Sequence, residues 1–284
     1  MNCQSILTPC ISVIVAVYNR SETLSRCINS VASQTYLNKE LIIIDGASTD
    51  GTVDILKSNS EKITYWQSEP DRGIYHAFNK GLNHAKGDWI YFLGSDDYLW
   101  DSQTLSQMAE QLTATPTDVR IVYGKVALVS PKGDVLEVVN KPWEQVKQHF
   151  LQGCYICHQG VFHHRSLFEI HGQFDESFKI SGVYELLLRE LKTKNALFFP
   201  DVIVAGMQIG GVSSSPENTL VVFKEYAKAR QKNAIFLPPF TGWWGYTKVM
   251  LRYRFNQLMG DKSTRYLSDF YRKITGRSSL WTRM

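Results

Sequence analysis

A chain of 284 residues, 44% hydrophobic and 20% charged, is long enough for one large domain with an appendage and too apolar to stay disordered. Its 19 glycines and 9 prolines exclude a collagen-like or low-complexity chain. The formal net charge of +4 is uneven: Phe240 to Met284 carries nine basic and two acidic residues, a balance of +7, and the remainder stands at −3.

The first nineteen residues hold no Asp, Glu, Lys or Arg, which raises a secretory leader, but there is no basic start and Pro9 interrupts the segment. No run of about 18 apolar residues is present, so a transmembrane helix is not expected and the cytoplasm is the expected compartment. Ile11 to Val17 is apolar and β-branched and reads as a buried strand. Asn19 and Glu22 have the spacing of a capping box before a helix carrying Leu24, Ile28 and Val31. Leu41 to Ile44 reads as a second strand ending at Asp45, Thr52 to Lys57 as a short helix, and Ile63 to Trp66 as a third strand. Ile74, Phe78, Leu82 and Ala85 mark another helix, and Trp89 to Leu93 a strand running into Gly94-Ser95-Asp96-Asp97. This alternation predicts an α/β fold with an open, mostly parallel sheet, whose ligands bind beyond the carboxyl ends of the strands. Tyr18, Asn19, Asp45 and Ser95 to Asp97 stand at those ends.

Further on, Val119 to Val129 and Val135 to Val139 read as strands joined by a turn at Ser130 to Asp134. Helices are expected over Trp143 to Leu151, Val183 to Leu191 and Leu220 to Asn233, with a short strand at Val161 to His163. Breaks are expected at Gly210-Gly211 with Ser213 to Pro216, and at Pro238-Pro239. Five scattered cysteines make no disulfide framework. Cys154, Cys157 and His158 have the spacing of c-type haem attachment, yet export is not indicated, so free thiols are expected. No second ligand pair suggests zinc.

Adjacent carboxylates at Asp96 and Asp97 repel each other, and a divalent metal relieves that cost. Oxygen ligands suit Mg²⁺ or Mn²⁺, which commonly bridge to phosphate oxygens. The bland alternative is a solvated turn.

Ile11 to Asn19 resembles the opening strand of the inverting family 2 glycosyltransferases, and Leu41 to Thr52 resembles their second motif. Ser68 to Tyr75 with Asn79-Lys80-Gly81 is similar to the third motif, and Gly87-Asp88 with Phe92 to Asp97 to the metal-binding DxD region. His158-Gln159, Gly172 to Asp175 and Tyr184-Glu185-Leu186 are similar to a colanic-acid-like branch that builds bacterial surface polysaccharides. The resemblance covers about residues 10 to 215.

It implies a GT-A fold, a Rossmann-like mixed sheet flanked by helices, with a nucleotide-sugar half (about 10–100), an acceptor half (about 101–215) and a helical basic extension (216–284). It implies a UDP- or GDP-sugar donor and a sugar or lipid-linked sugar acceptor. Ala16, Tyr18, Asn19, Asp45, Asp71, Arg72, Asn79 and Ser95 are then expected at the donor, and Asp96 and Asp97 at an Mn²⁺ or Mg²⁺ ion. Asp96, His158 and Glu185 are the expected catalytic groups. The departures are Gly94 for the first Asp of DxD, Gly46 for a second Asp after Asp45, His76 for an Asp, and Val183 where relatives carry the expected general base. Valine accepts no proton, so either another group such as Glu185 acts, or the chain is a weakened enzyme that binds sugar nucleotide or serves assembly. Glu185 lies roughly 200° around the helix from position 183, on another face.

The tail interleaves Trp243, Trp244, Tyr246, Met250, Leu251, Tyr253 and Phe255 with Lys248, Arg252 and Arg254. Basic residues among interfacial aromatics suit an anionic membrane surface, so residues 240–284 are expected to hold the protein peripherally on the inner face of the cytoplasmic membrane. Packing on the catalytic domain is the alternative. Nucleic-acid binding is not expected, since no recognised module accompanies the charge.

Overall fold

The computed structural model describes residues 8–211, 216–236, 243–276 and 278–283. The expected breaks at Ser213 to Ser215 and Pro238-Pro239 lie outside the described residues, as does Phe240.

The α/β fold is present, built on one mixed sheet of nine strands. β1 (Ile11–Val17), β2 (Lys39–Asp45), β3 (Tyr65–Ser68) and β4 (Trp89–Gly94) are parallel, in the order β3-β2-β1-β4. The sheet continues through β8 (Val161–His164), β6 (Ile121–Val129), β9 (Leu197–Gln208) and β5 (Tyr98–Leu99), while β7 (Val135–Val139) forms a hairpin with β6. β8 is antiparallel to β4 and β6, and β9 is parallel to β6. β1, β2 and β4 are near-continuous apolar runs because they are buried on both faces, whereas the edge strand β3 is only partly buried.

Alternation along β1 divides the core. Val13 and Val15 face α1 (Leu24–Ala32) and α4 (Thr104–Thr113), in a cluster with Ile28, Leu105 and Met108. Ile14 faces the other side, with α3 (Ile74–His84), α5 (Trp143–Phe150) and α7 (Gly182–Leu191), in a cluster with Phe78, Phe150 and Leu187. α2 (Thr52–Ser58) and α6 (Arg165–His171) complete the helices of this part.

The sequence reading needs three corrections. The capping box is absent: α1 opens at Leu24 behind Thr23, and no side chain caps it. Asn19 instead adopts φ 50° and accepts a hydrogen bond from the Thr49 amide at 2.9 Å. The twelve-residue β9 gives no simple strand signal, because Pro200-Asp201 interrupts its pattern and the β6–β9 register shifts near Gly124 and Lys125. The helix expected from Leu220 begins at Pro216.

That helix, α8 (Pro216–Lys232), is bound to the segment before α7 by an ion pair from Lys232 to Asp175 at 2.6 Å and by hydrogen bonds from Lys228 to Ser177. α9 (Trp243–Ile274) breaks at Gly260, where φ 78° and ψ 170° leave the helical region. Leu280 then packs with Leu128 and Leu136 on the β6–β7 hairpin.

Candidate active site

Register brings the polar strand ends together. Val17 lies opposite Asp45, Ala16 opposite Gly94, and Asp45 opposite Ser68. The loops after β1 and β2 are stitched by backbone-to-side-chain bonds: Asn19 N donates to Ser48 Oγ (2.7 Å), Arg20 N to Thr52 Oγ1 (2.9 Å) and Ser21 N to Asp50 (3.0 Å). The Thr52 hydroxyl, which donates to Asp50 at 2.6 Å, and then the Ser21 amide hold the Asp50 carboxyl well below the usual carboxylate range.

Asp45 is fully buried. Its carboxylate accepts from Ser48 N (2.9 Å), Ser48 Oγ (2.5 Å) and Ser68 Oγ (2.6 Å), so it fixes the floor of the β2–α2 loop. Above it, Gly46 is flanked by Asp71 and Tyr18. A Cβ at position 46 would stand 2.7 Å from Asp71 Oδ2 and 3.3 Å from the Tyr18 ring. The absent side chain lets the Asp71 carboxylate and the Tyr18 ring, 61% exposed, close over the backbone at position 46.

Gly94 acts similarly at the end of β4. A side chain there would overlap the Asp97 carboxylate and stand 3.1 Å from Asp96 Oδ1. Both carboxylates therefore converge on the space that a first Asp would use. Asp97 is 2% exposed, and its Oδ1 accepts from Gln208 N at 3.0 Å, at the end of β9. Burial, then the neighbouring Asp96, push its carboxyl up to about 7, against hydrogen bonds from the Gln208 backbone and the Gln159 side chain. Such a pair fits a hard divalent cation, which is held by one or two carboxylates plus phosphate oxygens. Among the described residues no group of three or more His, Cys, Asp or Glu could hold a metal ion, so any ion here takes its remaining ligands from outside this set.

Arg26, which the sequence reading did not single out, supports this loop. Its guanidinium donates to Asp96 O (2.6 Å) and to Gln208 Oε1 (2.9 Å), and lies 4.8 Å from the Tyr98 ring centroid. Nothing local marks it, because these partners stand 70 and 182 residues away. Ser95 is buried, and its carbonyl accepts from Thr23 Oγ1 at 3.0 Å.

His158 opens a short helical turn against β4, β6 and β9, and burial pushes its imidazole down to about 4, so the ring is neutral. It follows Cys157, whose thiol donates to Gln159 Oε1 at 3.0 Å. Burial raises the Cys154 and Cys157 thiols to about 11 and about 12, which keeps them protonated.

Three expected residues are engaged elsewhere. Asn79 donates to Phe174 O (3.0 Å) and Glu176 (3.1 Å) and accepts from Phe174 N (3.0 Å), so its amide clamps α3 to the 174–176 loop. Arg72 donates from both Nε and Nη2 to Oε2 of Glu176. Glu185 is buried and paired with Arg189 one turn on, with Lys232 at 3.6 Å, which makes it the core of a charge cluster. Val183 stands in the apolar cluster with Tyr75, Phe174 and Phe178, and its amide reaches the Tyr75 hydroxyl at 3.4 Å.

The family model for glycosyl transferase family 2 matches residues 12–167. The chain belongs to this family. A PGL/p-HBAD biosynthesis glycosyltransferase of Mycobacterium bovis is 30% identical over 228 residues, covering 78% of this chain and 83% of that protein. An uncharacterized glycosyltransferase of Mycobacterium tuberculosis is 35% identical over 184 residues, covering 64% and 68%. Among solved structures, the mannosyltransferase PcManGT of Pyrobaculum calidifontis, in complex with GDP-Man and Mn²⁺, superposes with TM-score 0.62 at 18% identity, over 94% of this chain and 80% of that one. TarS 1-349 of S. aureus, in complex with UDP, gives 0.59 at 19% identity, over 78% and 65%. The fold is that of the GT-A glycosyltransferases, and this family 2 chain is a glycosyltransferase enzyme.

Proposed function

We propose that this glycosyltransferase moves a sugar, with inversion, from a UDP- or GDP-sugar to a hydroxyl of a cell-surface glycan acceptor, either a sugar or a lipid-linked sugar. The observation that carries the reading is the convergence of Asp96 and Asp97 beside Gly94, on the same sheet edge as Tyr18, Gly46 and Asp71. The exposed Tyr18 ring lies against the face of the base, and Asp71 accepts from its edge. Asp96 and Asp97 would hold Mn²⁺ or Mg²⁺, which when bound would supply positive charge to the leaving diphosphate as it gains charge in the transition state. Arg26 fixes the loop that presents the two carboxylates, and neutral His158 offers a hydrogen-bonding group without a charge.

A general base typically contributes about 10² to 10⁴-fold. Val183 leaves that role to a group other than the one the family resemblance implies, and the ion pairs of Glu185 argue against its filling the gap. A second reading, a weakened enzyme, follows from the same residue. The pathway also stays broad: bacterial surface-polysaccharide synthesis was the expectation, whereas the PGL/p-HBAD name of the 30% identical relative favours a different glycan. The reading has the enzyme work at the inner membrane face, where a lipid-linked acceptor is met.

The test is a thermal-shift screen of UDP- and GDP-sugars with and without Mn²⁺, since a ligand that binds only the folded state raises apparent stability. One class of donor is expected to stabilise the protein, more strongly with Mn²⁺, and Asp96→Ala to remove the Mn²⁺ increment. Stabilisation that ignores Mn²⁺ in the native protein counts against the metal, and no response to any donor counts against the reading.

A further inference from the structure

The second half of α9 is inside out. Its polar side chains face the protein: Thr264 and Asp269 are buried, and Thr264, Ser268 and Arg272 run four apart along one side. Arg272 pairs with Glu137 of β7 at 2.7 Å. The Asp269 carboxylate accepts from the amides of Leu280, Trp281 and Thr282, which pins the chain end to the helix. On the opposite side Tyr266, Phe270 and Ile274, again four apart, are 60%, 61% and 69% exposed, with Leu267 beside them. Leu258 and Met259, just before the bend at Gly260, are also exposed. Lys262 and Lys273 are exposed along the margin of the apolar side. A helix docked on its own domain normally buries its apolar stripe. This one spends its polar stripe on docking and presents the apolar one to solvent.

We propose that this apolar side of α9 is the surface by which the protein docks on an anionic lipid bilayer. The proposal rests on the inner-membrane part of the functional reading and not on the transfer chemistry. Phe, Ile and Leu enter the headgroup boundary, Tyr266 sits at the interface, and the flanking lysines meet acidic headgroups. Charge decides the occupant. A second copy of the chain would bring Lys262 and Lys273 of each molecule together around the same apolar patch, and like charges repel. An anionic surface neutralises them, and the net charge of +7 over residues 240–284 adds a longer-range attraction to it. No helix among the described residues is long and apolar enough to cross a membrane, so the contact lies in the plane of the surface.

The test uses the full chain without donor or acceptor, so its failure is distinct from failure of the transfer reading. Sedimentation is measured with phosphatidylcholine vesicles and with vesicles that also contain phosphatidylglycerol. The native protein is expected to bind the phosphatidylglycerol vesicles and to leave them as salt rises. The double variant Phe270→Ser with Ile274→Ser, and separately Lys262→Glu with Lys273→Glu, should each weaken binding by about tenfold or more with unchanged thermal melting. Equal binding by the variants, no binding by the native protein, or equal binding to both vesicles overturns the proposal. So does a lipid-free dimer that Phe270→Ser with Ile274→Ser dissociates, because the patch would then belong to a second copy.

Discussion

The carboxylate of Glu225, on α8, accepts a hydrogen bond from the backbone amide of Ser181 at 2.7 Å, where the chain enters α7. It also accepts from Ile180 N (3.0 Å) and Lys179 N (2.6 Å), so one buried charge fills a nest of three consecutive amides. Removing it leaves those donors unpaired. Glu225→Ala should cost about 2–4 kcal/mol in denaturant unfolding, and Glu225→Gln less. Because Val183 follows two residues on, the apparent acceptor KM should rise more than the donor KM.

Asp97 gives a pH signature. Its folded carboxyl is raised to about 7 by burial and Asp96, so between its ordinary value and about 7 the metal-free folded protein keeps a proton that the unfolded chain releases. The stabilisation is fully present at low pH and is lost as pH rises through that window, by up to about 1.4 kcal/mol per pH unit. Asp97→Asn should flatten the slope. The melting-temperature gain from Mn²⁺ should grow between about pH 5 and pH 8, as the carboxylate becomes available. Melts across that range with and without Mn²⁺ check both statements, and a gain that does not change with pH would contradict the second.

Gly94→Asp does not restore a DxD site. The new Cβ would overlap the Asp97 carboxylate and press on Asp96 at 3.1 Å, and it would add a third negative charge to a pair that already raises one carboxyl. The variant should be less stable than native by about 1–3 kcal/mol without metal, and should bind donor less well in Mn²⁺. Unfolding curves and the donor thermal shift read the two effects.

Val183→Asp places a carboxyl in an apolar cluster beside Tyr75 and Phe178. It should lower stability and yet raise transfer turnover, by at most the factor of about 10² to 10⁴ that a positioned base supplies. Turnover in the native protein equal to that of the variant would show that another group already performs the proton transfer.

The parallel half of the fold is legible in sequence because its strands are short apolar runs that end in polar residues. Ile11–Val17 and Trp89–Gly94 need no distant information. The site is legible only as a set of positions. Gly46 and Gly94 make room for Asp71 and Asp97 to fold back over them, and no spacing rule states that. Asn79 sits in a family-like motif, yet its amide clamps Phe174, 95 residues away. Arg26, Gln208 and Glu225 are likewise assigned by partners far along the chain.

One pairing governs how this centre forms. β5, just past Asp97, pairs with β9 through Tyr98 and Gly206, and the Asp97 carboxylate meets an amide 111 residues later. The centre is therefore sealed late. Without β9, which begins at Leu197, the acidic corner lacks one wall, although the parallel strands β1 to β4 all precede it. Closing so long a loop makes this contact slow relative to the local ones. Metal affinity should accordingly mature only after β9 has joined the sheet, which makes Mn²⁺ uptake a reporter of the last folding step.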